Sequence, residues 1–74
     1  MKIDLRPYAQ RPLNQIKHRI YTKNGEVRDG YFYAFIPAND NDPEEDAVMF
    51  FPTKEAKSGW GFFEHEIERI EPLE

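Results

Sequence analysis

The sequence contains no cysteine among its 74 residues. Within this chain, disulfides, thiolate metal sites and cysteine nucleophiles are therefore excluded. Aliphatic hydroxyls are also scarce, because Thr22, Thr53 and Ser58 are the only ones, and all three lie near predicted turns. The sequence has no phosphate-cradling glycine loop and no His-Glu-x-x-His arrangement. We therefore expect a protein that is not an enzyme and that binds no cofactor and no metal.

Long apolar stretches are missing as well, since none approaches the roughly 20 residues that a helix needs to span a bilayer. Residues 1–8 include Lys2, Asp4 and Arg6 and have no apolar region typical of a signal peptide. We therefore expect a cytoplasmic protein with no membrane partner. Residues 1–74 predict one small domain, and a domain of this size can gain stability from a partner or from self-association.

The net charge of −4 is distributed unevenly along the chain. Residues 1–30 carry seven basic against three acidic residues, and residues 31–74 carry three basic against eleven acidic residues. An acidic protein is a poor candidate for tight, sequence-blind binding to nucleic acid, which depends on phosphate neutralisation. The basic first part of the chain still allows a local nucleic-acid patch.

Residues 16–23 alternate in the way of a strand with one solvated face. Asn24-Gly25 follows and favours a tight type I′ hairpin, because both residues readily adopt positive φ. The return strand runs from about residue 26 to 36, and Gly30 within it predicts a bulge or a sharp bend. Further strands are predicted at residues 47–52, at 60–64, and around Ile67 and Ile70.

Two segments are predicted to lie outside the strands. Residues 1–15 form an N-terminal arm, because Pro7 and Pro12 rule out a continuous helix. Residues 37–46 form an acidic, proline-containing loop that has no capacity to pack a core. The expected fold is all-β, a five-stranded small barrel with an extended N-terminal arm.

The acidic loop also resembles a calcium-binding segment in the alternation of Asp40, Asp42, Glu44 and Asp46. An EF-hand loop counted from Asp40 needs a glycine at its sixth position and a glutamate at its twelfth. This sequence has Glu45 and Phe51 there, so a solvated acidic loop is the better interpretation. His18 lies on the apolar side of its strand and is expected to be a packed, hydrogen-bonded residue.

The aromatic residues separate by strand parity into two sets. Phe32, Phe50, Trp60 and Phe62 are expected to fill the core. The second set falls on the opposite parity and predicts an outer aromatic patch of Tyr31, Tyr33, Phe51 and Phe63. Either the N-terminal arm covers this patch, which we favour because exposed apolar patches are uncommon in monomers, or another chain does.

The chain resembles the Sm-like family in two segments. Asn24-Gly25, Gly30, Phe32 and Phe35 resemble its first signature. In the Hfq-like branch, a tyrosine, a histidine, an isoleucine and a proline stand where this sequence has Phe63, His65, Ile67 and Pro72. SH3-like barrels share the hairpin, the bent strand and a closing apolar pair. The resemblance implies an Sm-like or SH3-like barrel and makes His65 a candidate binding residue.

Two function hypotheses follow from these observations. The first is a protein-binding or self-associating interaction module that uses the outer aromatics and open strand edges. The alternative is an RNA- or single-stranded-DNA-binding Sm-like protein that uses the basic face of the first hairpin. Its candidate residues are Lys17, Arg19, Tyr21, Lys23, Arg28 and His65. A third hypothesis is that the acidic half contacts a nucleic-acid-binding protein by mimicking nucleic-acid charge.

Overall fold

The structure, a computed structural model, describes residues 3–40 and 44–73. Its five strands are β1 (His18–Thr22), β2 (Val27–Ile36), β3 (Ala47–Phe51), β4 (Trp60–Phe63) and β5 (Ile67–Pro72). The remaining elements are short 3-10 turns at Arg6–Ala9, Leu13–Gln15, Ala38–Asp40 and Glu64–Glu66. No α-helix occurs in these two ranges, so the predicted all-β class is confirmed.

Within residues 3–40 and 44–73, the protein has no helix with the length and apolar character needed to cross a membrane.

The strands form one antiparallel sheet with the order β4-β3-β2-β1-β5. β4 and β5 are the two edges, and no strand pairing joins them in the part of the chain that the structure describes. The structure therefore shows a five-stranded antiparallel sheet. Closure of that sheet into a barrel stays a prediction.

β2 belongs to both halves of the sheet and changes partner at Gly30. Gly30 lies opposite His18 of β1, whereas the next residue, Tyr31, lies opposite Phe51 of β3. A Cβ atom built on Gly30 would collide with the backbone carbonyl of Phe51. Only glycine permits this close approach, so the bend predicted at this position has a direct steric cause.

One hydrophobic core lies on the inner face of the sheet and receives side chains from all five strands. Phe50 is fully buried, and its ring lies 4.9 Å from that of Phe32 and 6.3 Å from that of Phe62. Trp60 is half-buried and packs at the margin of this cluster. The parity argument therefore identified the core aromatics correctly. The core cluster consists of Leu5, Ile20, Phe32, Val48, Phe50, Phe62 and Ile67.

The N-terminal arm closes the core instead of covering the outer face. Leu5 is completely buried in the core, and the Tyr8 ring packs 5.1 Å from Phe32 and 5.6 Å from His18. His18 is 1% exposed, and its Nδ1 lies 2.8 Å from the carbonyl oxygen of Ile16, as expected for a packed histidine. The arm consists of two 3-10 turns rather than an extended strand, and this path brings Leu5 and Tyr8 against the core.

The first hairpin forms where Asn24-Gly25 predicts it, but not as a type I′ turn. Gly25 has a φ of +93°, and no residue other than glycine has positive φ in the described ranges. The loop has three residues, because the Thr22 N–H donates to the Glu26 carbonyl at 2.9 Å. A three-residue loop requires positive φ only at its last residue, which is Gly25, and the Asn24 side-chain oxygen accepts the Thr22 hydroxyl.

Candidate functional site

In the ladders that join β2 to β3 and β3 to β4, no outward position holds a charged side chain. Directly paired residues of antiparallel strands share a face of the sheet, so the register identifies these positions. Tyr33 joins them through a bulge between Phe32 and Ala34. We call the whole surface the apolar face. It consists of Tyr31, Tyr33, Ala34, Ile36, Ala47, Met49, Phe51, Gly61 and Phe63.

Three of the predicted outer aromatics come together at one end of the apolar face. The Tyr33 and Phe51 rings stack with centroids 4.7 Å apart and planes inclined by 8°. The Lys54 ammonium lies 5.2 Å above the Tyr31 ring. Tyr33 is 68% exposed, so the arm does not cover it, contrary to the favoured prediction. Asn14 of the arm approaches these rings and lines a groove of about 250 Å³ beside them.

The fourth predicted outer aromatic, Phe63, lies at the other end of the apolar face. Its ring stacks on the His65 ring at 6.0 Å. An apolar groove of about 190 Å³ runs beside it. We call this groove the edge groove, since residues of the edge strand β4 line it together with residues of β2 and β3. It is lined by Ile36, Ala47, Val48, Met49, Gly61, Phe62, Phe63 and Glu66.

The outer surface of β1, β5 and the first part of β2 is charged. Arg19 lies between Asp29 on one side and Glu71 on the other in the strand register. Its guanidinium donates to both Asp29 carboxylate oxygens, at 2.6 and 2.9 Å. The Tyr21 hydroxyl donates to Glu71 at 2.7 Å, and Arg69 lies 4.1 Å over the Tyr21 ring. We call this surface the charged face.

The Arg19–Asp29 pair changes the titration of both groups. Hydrogen bonds from the Arg19 guanidinium hold the pKa of Asp29 below its usual value. The same bonds, with a contribution from Tyr21, raise the pKa of Arg19. Both side chains are about one-third exposed, so solvent screens the pair and its contribution to stability is small.

We expect Asp29→Asn to lower the melting temperature slightly near neutral pH. A carboxyl whose folded-state pKa is depressed stabilises the protein above its unfolded-state pKa and loses that effect as the pH falls through its folded-state pKa. Thermal unfolding should therefore show that the difference in melting temperature between the wild type and Asp29→Asn becomes smaller as the pH is lowered from about 7 to below about 3. In an Arg19→Gln background the pH-dependent difference in melting temperature should become clearly smaller, since only the weaker charge effect of Lys17 remains, and an undiminished difference would contradict the assignment.

The residues predicted for nucleic-acid binding do not form one surface. Arg19 and Tyr21 share the charged face with the acids that neutralise it. Lys23 and His65 line a cavity of about 310 Å³ between the first hairpin and the turn after β4. Arg28 lies opposite buried Ile20, with its guanidinium 5.5 Å over the Trp60 ring. Lys17 immediately precedes β1, at the opposite end of that strand from Lys23.

The described ends of the acidic loop are anchored to the sheet. Glu45 accepts the backbone N–H of His65 at 2.6 Å, and its carboxylate lies 2.7 Å from the His65 Nδ1. The Asp46 carboxylate accepts the Ala38 N–H at 2.9 Å. The rest of the predicted loop, residues 41–43 with Asp42, lies outside the described residues. Over residues 3–40 and 44–73, no group of three or more acidic or histidine side chains could hold a metal ion.

Comparison with known proteins finds no matching family model, no matching curated protein and no matching solved structure.

Several residues of the apolar face were not singled out from the sequence. Met49 and Ala47 share the parity of Phe51 in β3, and that signal could have identified them. Gly61 carried no such signal, because a glycine has no side chain to assign to a face. Glu66 was also missed, since its role depends on a hydrogen bond to the Phe63 backbone.

Proposed function

We propose that this protein is a non-enzymatic interaction module that binds another polypeptide chain, either a partner or a second copy, through the apolar face. The observation that carries this proposal is the absence of charge from every outward position of the β2–β3 and β3–β4 ladders. Exposed Tyr33 and Gly61 lie on this face among half-buried apolar residues, and exposed apolar patches mark interaction surfaces. The charged face of the same sheet differs in this respect, because its outward positions include Arg19, Asp29, Arg69 and Glu71.

The exposed ring of Tyr33 and the half-buried rings beside it give this surface its expected binding energy. Apolar area removed from water contributes about 25 cal/mol per Å². Aromatic side chains dominate the buried centres of protein interfaces, because they offer large areas at a low cost in conformational entropy. Tyr33, stacked on Phe51 and 68% exposed, is the natural anchor.

The nucleic-acid alternative has weaker support. Arg19 and Arg28 each form an ion pair with an acidic neighbour, at 2.6 and 3.0 Å. Phosphate binding would have to compete with these partners. A closed barrel of Sm-like or SH3-like type is a compatible proposal for the architecture, supported by the bend of β2 and by the core that all five strands share.

The test of this function compares Tyr33→Lys with Val27→Lys. Both residues are exposed, at 68% and 45%, but Val27 pairs with Tyr21 on the charged face. Each tagged variant is purified gently from cells, and the bound polypeptides are weighed by native mass spectrometry. We expect Val27→Lys to retain the bound chain seen with the wild type and Tyr33→Lys to lose it. Equal retention by both variants would refute the apolar face as the binding surface.

A further inference from the structure

We infer that the open edge of β4 accepts an extended segment of a partner protein, in which apolar residues alternate with basic ones, as an additional strand. This inference rests on the proposed function, because the added strand would lie along the apolar face. It goes further by stating the conformation and the chemistry of the partner. The open edge, the two grooves beside it and their charge are three separate observations that support it.

Alternate residues of β4 form backbone hydrogen bonds to β3, and the residues between them direct their backbone N–H and C=O groups to the open edge. The Glu64 N–H donates to the Asp46 carbonyl at 2.9 Å. Every second residue before Glu64, namely Phe62 and Trp60, therefore bonds to β3. Phe63 and Gly61 therefore point outward. The Phe63 N–H is capped by the Glu66 carboxylate at 2.8 Å. Gly61 forms no hydrogen bond across the open edge within the described part of the chain, which leaves its N–H and C=O available to a partner strand.

Two grooves flank this edge. The edge groove lies on the apolar face, and the cavity shared by Lys23 and His65 lies on the other side. The two share Phe62 and Glu66 in their linings, so they meet at the edge itself. Side chains of an extended strand alternate between faces. A strand added here would place every second side chain in the edge groove and the others in the cavity beside the first hairpin, which Lys23, Glu26, His65 and Glu66 help to line.

Space for a partner side chain exists at Gly61. A Cβ atom built on this exposed glycine would meet only the Met49 Sδ, at 3.9 Å. The apolar face is therefore recessed at Gly61, next to the Phe63 ring. An apolar partner residue above Gly61 would contact Met49 below it and Phe63 beside it, which is the usual side-chain pocket of strand addition.

Carboxylates at this end of β4 favour basic residues at the alternate positions. Glu66 lines both grooves, and Glu26 lines the cavity but is ion-paired with Arg28 at 3.0 Å. Glu45 already engages the Nδ1 of His65. Glu64 bonds through its backbone to Asp46, so Glu45, Asp46, Glu64 and Glu66 lie together at this end of β4, and their charge attracts cations.

The test uses fluorescence anisotropy of a short labelled peptide that alternates valine and lysine. Two control peptides are an alternating valine–glutamate peptide and a valine–lysine peptide with its central valine replaced by proline, which keeps the charge but interrupts a strand. We expect the first peptide to bind the intact protein at least about tenfold more tightly than either control. If the proline peptide bound as tightly as the valine–lysine peptide, binding would depend on charge alone and not on strand pairing, and the inference would be overturned.

Variants of the protein test the site itself. Gly61→Leu fills the recess and should weaken binding about tenfold, whereas Val27→Leu on the charged face should not. Glu66→Gln keeps an acceptor for the Phe63 N–H but removes the charge, so it should weaken binding and reduce its salt dependence. Unchanged affinity in Gly61→Leu, with native thermal unfolding, would contradict the site.

The failure of this inference can be separated from that of the proposed function. If the peptide does not bind but the native mass spectrum shows a bound chain that Tyr33→Lys removes, the apolar face is an interface and the strand addition is wrong. If the bound chain is a second copy that Gly61→Leu releases, the edge pairs with itself and the basic-segment partner is wrong. If neither peptide nor bound chain is found, both proposals fail.

Discussion

Gly30→Ala is expected to unfold this protein or to bring it close to unfolding. The new Cβ would collide with the Phe51 carbonyl, a backbone atom that no side-chain rotation can move. Overpacking a tight site costs about 1–3 kcal/mol when side chains can adjust, and a backbone collision should cost at least the upper value. A domain of this length has a stability of roughly 4–11 kcal/mol, so the loss is a large fraction of the total.

Gly61→Ala is the matched control for this substitution. Gly61 also lies within a strand, but its Cβ would have open space apart from the Met49 Sδ at 3.9 Å. Urea unfolding followed by Trp60 fluorescence should show a large decrease of the midpoint for Gly30→Ala and almost none for Gly61→Ala. Equal midpoints for the two variants would contradict the bend of β2 that places the apolar face.

Phe50→Ala should be the most destabilising truncation in the core. Its side chain is completely buried and packs against the rings of Phe32, Trp60 and Phe62. Removing a buried phenylalanine costs about 3–5 kcal/mol through lost burial and the cavity that remains. Chemical unfolding measures the loss, with far-UV circular dichroism to detect a chain already unfolded in buffer.

Phe51→Ala is the corresponding control, because the next residue of the same strand points to the apolar face and is half-buried. We expect it to cost clearly less stability than Phe50→Ala. It should also weaken partner binding, since it removes the ring on which Tyr33 stacks. A greater loss of stability for Phe51→Ala would mean that inner and outer parity in β3 are exchanged.

Local patterns predicted the strands and their inner and outer parity. Ile20 and Thr22 are buried on alternate positions of β1, as the alternation in the sequence indicates. Gly30 marks the bend because a glycine within an apolar strand is itself a steric signal. The Asn24-Gly25 position of the turn was predictable, but its type was not, since the Thr22 hydroxyl determines how Asn24 is held.

Contacts between residues that are far apart in the sequence could not be predicted from local patterns. The Glu45–His65 pair joins residues 20 positions apart and depends on how the acidic loop returns to the sheet. The Arg19–Asp29 pair requires the register that a three-residue hairpin loop establishes, whereas a two-residue loop would have given another. The destination of the arm depends on whether the core has room for Leu5, which no local pattern states.

The most direct test of the central claim is a native mass spectrum of the unsubstituted protein, purified gently from cells. The claim is that the apolar face binds another polypeptide chain. The predicted result is a complex whose mass includes a second polypeptide, free of nucleotide mass. A monomer over the whole accessible concentration range, or a complex whose added mass is nucleic acid, would contradict the claim.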